Sequence, residues 1–358
     1  MSTSNKQLRV TEYLTSFFAE LQEYLPSDDE KKLISRDVQS FTIQKLFRKK
    51  YRKQKLHPST IEEITKKIAA SYADHKPFHF TIPWGGYKHF WNPSHPEPDW
   101  AEVFTLRFLT EWVAPVLSVY KPGVIFEFIS EDMILPRMNN YPDEVLEQYA
   151  KGFSHLLETY RKNVPKNLEI RYFRVGEKYD KEKMVQEVER ALPKSWENWD
   201  TYTHEQKEIE LKRSRRSVMW KGREDLTGLS DSEKEKRMIE SRLIELAYYD
   251  VEAKPEFLGN YFSVDNHIGI CFSFGLSPDN VDHWITLGST YASSVDYWIG
   301  RGILEERDDS FMPRIVSKEQ YEKIKENKET LEVTFEPLPF KNFQTIDIIT
   351  AKNWENTL

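Results

Sequence analysis

The chain has 358 residues, a formal net charge of −7, 39% hydrophobic and 30% charged residues, which is enough for one large α/β domain or two smaller ones. No apolar run approaches the roughly 18 residues of a membrane-spanning helix, and a single cysteine, Cys271, excludes an internal disulfide and any cysteine-based metal cluster and suits a reducing cytoplasm. The acidic balance excludes a global nucleic-acid footprint and leaves only local basic patches.

The first residues, "MSTSNKQLRV", are polar and lack the apolar core of a secretory signal, so a cytoplasmic protein is expected. Residues 1–75 predict a helical N-terminal region. Within it, seven basic residues fall between Lys45 and Lys55. They read as a solvated helix face beside a docking surface, with contact to RNA or a phosphate as the alternative. A helix then starts near "HPSTIEE", with Ser59 or Thr60 as the expected cap and Glu62 or Glu63 near the capping-box position.

At "PFHFTIPW" the texture turns to strand. A loop follows that holds Trp84, Gly85, Gly86, Tyr87, Lys88 and Trp91, and it leads into "DWAEVFTLRFLTEWVAPVLSVY", where apolar residues recur at helical spacing. Asp99 with Glu102 three residues on has the capping-box spacing. "KPGVIFEFIS" is a turn and a buried strand, residues 143–163 a second amphipathic helix, and "LEIRYFRVG" a third strand. Strand, helix, strand, helix, strand predicts an α/β fold, a mainly parallel, Rossmann-like sheet flanked by helices. The expected organisation is an α/β core at 76–180 carrying the pocket, a charged helical insertion at 181–250, and a C-terminal part at 251–358 that completes the α/β domain.

In a parallel sheet, ligands sit beyond the carboxyl ends of the strands, which singles out three segments leaving that edge, residues 83–99, 130–142 and 174–180. In the first, the glycines allow a sharp turn or close approach to a ligand. Lys88 could bind a phosphate or act as an amine, or be an exposed loop residue. Asp99 and Glu102 would face the same cleft, or serve as caps alone. In the second, Glu131 and Asp132 end a buried strand, where carboxylates are poor strand formers, and Arg137, Asn139 and Asn140 follow. A plain hydrogen-bonded turn is the alternative. In a further stretch, "LGSTYASSVDYWIGRGI", the hydroxyl of Ser289 and the guanidinium of Arg301 suit a phosphate or carboxylate, against tight helix packing. His79, His89 and His95 do not reach a zinc signature, and no metal or cofactor is expected.

The succession from "HFTIPWGGYK" through "PDWAEVFTLRFLTEWVAPVLSVYKPGVIFEFISED" to "VLEQYAKGFSHLLETY" resembles the isonitrile synthase family, the pyoverdine/dityrosine biosynthesis enzymes. The matching elements are Lys88, Pro98-Asp99-Trp100-Ala101-Glu102, Tyr120-Lys121-Pro122-Gly123, Ser130-Glu131-Asp132 and Tyr149, and they span about 100 residues, roughly 78 to 175. The sequence departs from the family pattern at "KHFWN" after the lysine, at "SED" ending the strand, and at "CFSFGLSP", which lacks the family's C-terminal histidine.

The resemblance implies an enzyme without its own metal that condenses an amino acid's amine with a ketose phosphate such as ribulose 5-phosphate. Lys88, Asp99, Glu102 and Asp132 are the catalytic candidates. Trp84, Gly85, Gly86, Tyr87, Trp91, Arg137, Asn139, Asn140, Ser289 and Arg301 would bind substrate, with the tryptophans as a stacking wall. Two other readings stay open: a different condensation on the same scaffold, and an RNA-binding or non-catalytic interaction protein using the basic segment.

Overall fold

The structure, a computed structural model, describes residues 3–52, 55–85, 88, 91–130, 132–133, 135–139, 142–217, 226–258, 266–271, 284–288, 300–308 and 310–355. Helices α1 (Thr3–Ala19), α2 (Asp28–Arg36), α3 (Val38–Leu46) and α4 (Pro58–Asp74) precede strand β1 (Phe78–Trp84). The start of α4 differs from expectation. His57, not Ser59 or Thr60, is its cap, and its Nδ1 accepts from the Ser59 N–H at 3.3 Å. Pro58 takes the first helical position, where its fixed φ and missing N–H cost nothing.

Helix α5 (Trp100–Leu117), strand β2 (Val124–Ser130), helices α6 (Leu135–Asn139) and α7 (Asp143–Tyr160), and strand β3 (Leu168–Arg174) follow. Strands β4 (His267–Cys271) and β5 (Trp284–Thr286) join them in one sheet of order β3-β2-β1-β4-β5, parallel throughout. The mainly parallel α/β fold expected from the alternation is therefore present. All seven residues of β2 are buried, as a parallel strand covered on both faces requires. On one face lie α5 and α7, packed on Phe80, Phe126 and Phe128. On the other, Ile129 and Phe173 meet residues of α9 (Lys181–Thr201) and α11 (Asp231–Glu252). The short helix α8 (Val175–Lys178) leads into α9, and α10 (His204–Ser217) lies between α9 and α11 in the chain.

Helix α5 is buried along all its length except Glu111 and Ala114, because it is covered twice. A helix that is apolar all round belongs inside. Trp112 packs on Phe80 of the parallel sheet with ring centroids 5.0 Å apart. From the other side comes a second sheet of order β7-β6-β9-β8, made by β6 (Arg301–Arg307), β7 (Ser310–Val316), β8 (Glu329–Glu332) and β9 (Thr345–Thr350). It is mixed, with β6 parallel to β9 and the other pairings antiparallel. Helices α12 (Lys318–Ile324) and α13 (Ala351–Glu355) complete the chain. No helix among the described residues is long and apolar enough to cross a membrane.

Among its described residues, the basic segment does not present a continuous charged face. Lys45 pairs with Glu30. Arg48 donates from Nη2 to the Trp112 carbonyl at 2.8 Å and lies over the Tyr51 ring. Arg52 donates to the Phe47 carbonyl at 2.7 Å. Lys49 and Lys50 are exposed, and Lys53 falls outside the described residues. Arg48→Gln should therefore lower unfolding free energy by about 1–3 kcal/mol, the cost of leaving a part-buried acceptor unmade. Lys49→Gln and Lys50→Gln should stay within about 0.5 kcal/mol of the parent. Urea midpoints of the three variants check this.

Candidate functional site

Lys88 stands four residues beyond the end of β1, the middle strand of the parallel sheet, and it is buried, with 1% of its surface exposed. Its Nζ lies 3.0 Å from Asp99 Oδ1 and 3.2 Å from Glu102 Oε2, and it also donates to the Gly300 carbonyl. Three acceptors around one nitrogen match an ammonium with three N–H donors and leave no lone pair facing open space. This arrangement suits a fixed cation rather than an amine nucleophile. It also corrects the picture of an exposed loop lysine, because the start of β6 covers the loop.

Asp99 and Glu102 meet because both cap α5. Asp99 Oδ1 accepts from the Ala101 N–H at 2.7 Å, and Glu102 Oε2 accepts from the Asp99 N–H at 2.9 Å. Capping and assembly of the cluster are thus one arrangement. Two close approaches hold it in place. A Cβ on Gly152 of α7 would come within 2.7 Å of Pro98, so the loop rests on that helix; a Cβ on Gly302 of β6 would come within 2.5 Å of the Ala101 backbone nitrogen.

Behind the cluster runs a chain of buried hydrogen bonds. Trp84 Nε1 donates to the Tyr149 hydroxyl at 2.8 Å, and that hydroxyl donates to Glu102 Oε1 at 3.1 Å. Burial pushes the Glu102 carboxyl up to about 8, Lys88 pulls it down, and the neighbouring Asp99 charge adds to the rise. Burial, with the charge of Glu102, also lifts the Tyr149 phenol well above its ordinary value. A carboxyl moved towards neutrality beside a fixed cation is what proton transfer at physiological pH needs.

The raised value has a stability consequence. The native state holds the Glu102 proton more tightly than the unfolded chain, so its contribution is complete below about pH 4.5 and is lost as pH rises towards about 8. The slope for one proton is at most about 1.4 kcal/mol per pH unit. Glu102→Gln should flatten the fall in urea midpoint between those two pH values. An unchanged profile would mean that other groups set it.

Lys88 and Asp99 line a narrow cleft together with Trp91, Trp100, Arg301 and Asp347. About 20 Å³ within it is open to a water-sized sphere, roughly room for one water. Trp91 meets the Tyr321 ring edge-on at 5.3 Å, and Arg301 pairs with Asp347 at 3.0 Å while lying over Tyr321. Gly85 is buried at the end of β1.

Other sequence candidates lie apart. Glu102 is behind the cleft rather than in its lining. Trp84 is a core residue that stacks on Phe153 with centroids 5.1 Å apart, so it is no part of the cleft wall. Asp132 does not join the cluster as expected. Charge draws it to Arg174 at the end of β3, whose Nε donates to Asp132 Oδ2 at 2.7 Å. Arg137 is exposed and pairs with Glu189. Asn139 ends α6, and its side chain falls outside the described residues, as do Gly86, Tyr87, Asn140 and Ser289. Sequence reasoning missed Asn342 and Asp347, which line the cleft from more than 200 residues away, and singled out the stretch with Gly300 and Gly302 only for close approach. The Gly-Arg-Gly run at 300–302 is the local signal in that stretch.

Fold and site together define a class: a parallel α/β protein, helices on both faces, with a buried lysine–dicarboxylate cluster beyond the carboxyl end of its middle strand. The crystal structure of the PvcA protein from Pseudomonas aeruginosa has this fold, with a TM-score of 0.59 and 15% sequence identity over 87% of this chain and 99% of that one. At that identity the likeness is one of fold. No protein-family model matches the chain, and no curated protein sequence does.

Proposed function

We propose that the chain is an isonitrile-synthase-like enzyme, one that condenses an amino acid's amine with a ketose phosphate of the ribulose 5-phosphate type. The observation that carries this reading is the meeting of Lys88 with Asp99 and Glu102 within 3.2 Å. These are the loop lysine and the Pro-Asp-x-x-Glu helix start through which the sequence resembles that family. Support also comes from the fold shared with the PvcA protein.

In this reading Glu102 is the acid–base group and Asp99 sets the position of Lys88. The Lys88 ammonium polarises the ketose carbonyl, and Arg301, at the mouth of the same cleft, faces the phosphate. Small-molecule pockets measure about 300–1,000 Å³, far more than the cleft between the described residues. Substrate entry then requires Lys88 and the Gly300 carbonyl to separate, which would free a donor on Lys88.

One observation favours a second reading, a different amine or sugar-phosphate condensation on the same scaffold. Asp132, which ends the matched Ser-x-Asp strand, is held by Arg174 and not by the cluster. A single experiment separates the two. Purified protein is incubated with mixed amino acids and pentose phosphates, and consumed pairs are sought by mass spectrometry. Isonitrile formation gives a product with one carbon more and two hydrogens fewer than the amino acid. Another mass difference supports the second reading, and no consumed pair under any condition counts against both.

A further inference from the structure

We infer that Tyr149, held by Trp84, is a positioning residue for Glu102: its hydroxyl closes Oε1 and leaves Oε2, beside Lys88, as the oxygen through which Glu102 exchanges its proton with the cleft. This rests on the reading of Lys88, Asp99 and Glu102 as the reactive cluster.

Hydrogen-bond direction fixes where each proton sits. An indole N–H can only donate, so the Tyr149 oxygen must accept from Trp84 Nε1 at 2.8 Å. Its own proton then points to the remaining partner, Glu102 Oε1, 3.1 Å away. Trp84 and Tyr149 are both fixed by packing, since the Trp84 ring stacks on Phe153 and the Tyr149 ring stacks on Phe153 as well, with centroids 5.1 and 5.9 Å apart. A proton on Oε1 would meet one already there. Oε2 has two partners, the Asp99 N–H at 2.9 Å and Lys88 Nζ at 3.2 Å; of these only Lys88 can pass on a proton, and Lys88 lines the cleft while Glu102 does not.

The transfer then runs through Lys88. The ammonium gives one N–H proton to a substrate oxygen, which becomes a hydroxyl. The proton on Glu102 Oε2 replaces it, leaving a carboxylate and a restored ammonium. The charged and titratable groups that act on Glu102 are Lys88 and Asp99 from the loop side and Tyr149 from α7.

The Glu102 titration can be read without substrate, from the protonated-carboxyl band in pH-difference infrared spectra, assigned by its absence in Glu102→Gln. Tyr149→Phe removes one donor to the ionised form, and such a bond favours the charged state. The midpoint should rise by about one pH unit, the size of one hydrogen bond to a charged group. Fluorotyrosine incorporated at position 149 keeps the hydroxyl, strengthens its donation and should lower the midpoint. It also covers the case in which the Phe variant does not fold. A residue that only fills space would change thermal stability and leave both midpoints at the parent value, and that result overturns the inference. Both shifts appearing in a protein that condenses no amine with any ketose phosphate would uphold the positioning of Glu102 and overturn the functional reading alone.

Discussion

Lys88→Met should lose about 3–5 kcal/mol of stability at pH 9, the range seen when one partner of a buried ion pair is removed. The reason is burial: the ammonium is 1% exposed and stands against two carboxylates, one of them fully enclosed. Without it, Asp99 and Glu102 face each other uncompensated. A buried acid in that position takes up a proton rather than bear the charge, so the loss should shrink as pH falls from 9 towards about 8, where Glu102 of the parent takes up its own proton, and level off below that. The double variant Lys88→Met/Glu102→Gln should recover part of the stability at pH 9 and none of the activity. Denaturation at pH 6 and pH 9, with turnover on any substrate pair found, reads all of these outcomes. Equal losses at both pH values would show that Glu102 carries no proton that responds to Lys88. Parent-level turnover in the single variant would remove Lys88 from the chemistry.

Periodicity made the middle of the molecule legible. Strands β1, β2 and β3 and helices α5 and α7 were readable because each is a short apolar run or an apolar stripe between Pro, Gly and Asp signals, as at Pro122-Gly123 and Asp99. The cluster was half legible for the same reason: Asp99 and Glu102 announce a helix start by spacing alone. The burial of Lys88 was not. "YKHFWN" mixes aromatic and polar residues with no period to read, and nothing local says that residues 300–302 of a distant strand will close over Lys88. The second sheet was equally hard to foresee, because its strands carry charges such as Glu305 and Asp347 inward. Both are fully buried and neutralised there by Arg307 and Arg314, and by Arg301 and Lys328. A charge in a strand reads as solvent-facing until its partner is known, and these partners come from the sheet itself and its flanking turns. Asp132 failed in the opposite direction. It sits where a strand-end ligand group belongs, yet an arginine on the next strand satisfies it.

Gly302→Ala tests whether the second sheet is part of the site or only its neighbour. The added methyl would lie 2.5 Å from the Ala101 nitrogen and 2.6 Å from the Trp100 carbonyl carbon. Both are backbone atoms of the first turn of α5, so no side chain can turn aside to make room. Either β6 retreats or the turn opens, at a cost of about 3 kcal/mol, the upper part of the range for overpacking. Both routes reach Lys88. Retreat of β6 carries away the Gly300 carbonyl that accepts from its Nζ, and opening of the turn separates Asp99 from Ala101 and Gly302. A substitution that merely loosened a remote sheet would lower the melting temperature and leave the Glu102 titration where it was. Coupling through the cluster predicts that both move, the titration upwards, because a Lys88 held by fewer partners draws less tightly on Glu102. Loss of stability with an unmoved carboxyl band would mean that β6 only covers the site, and that Asp99 and the first turn of α5 fix the cluster without it.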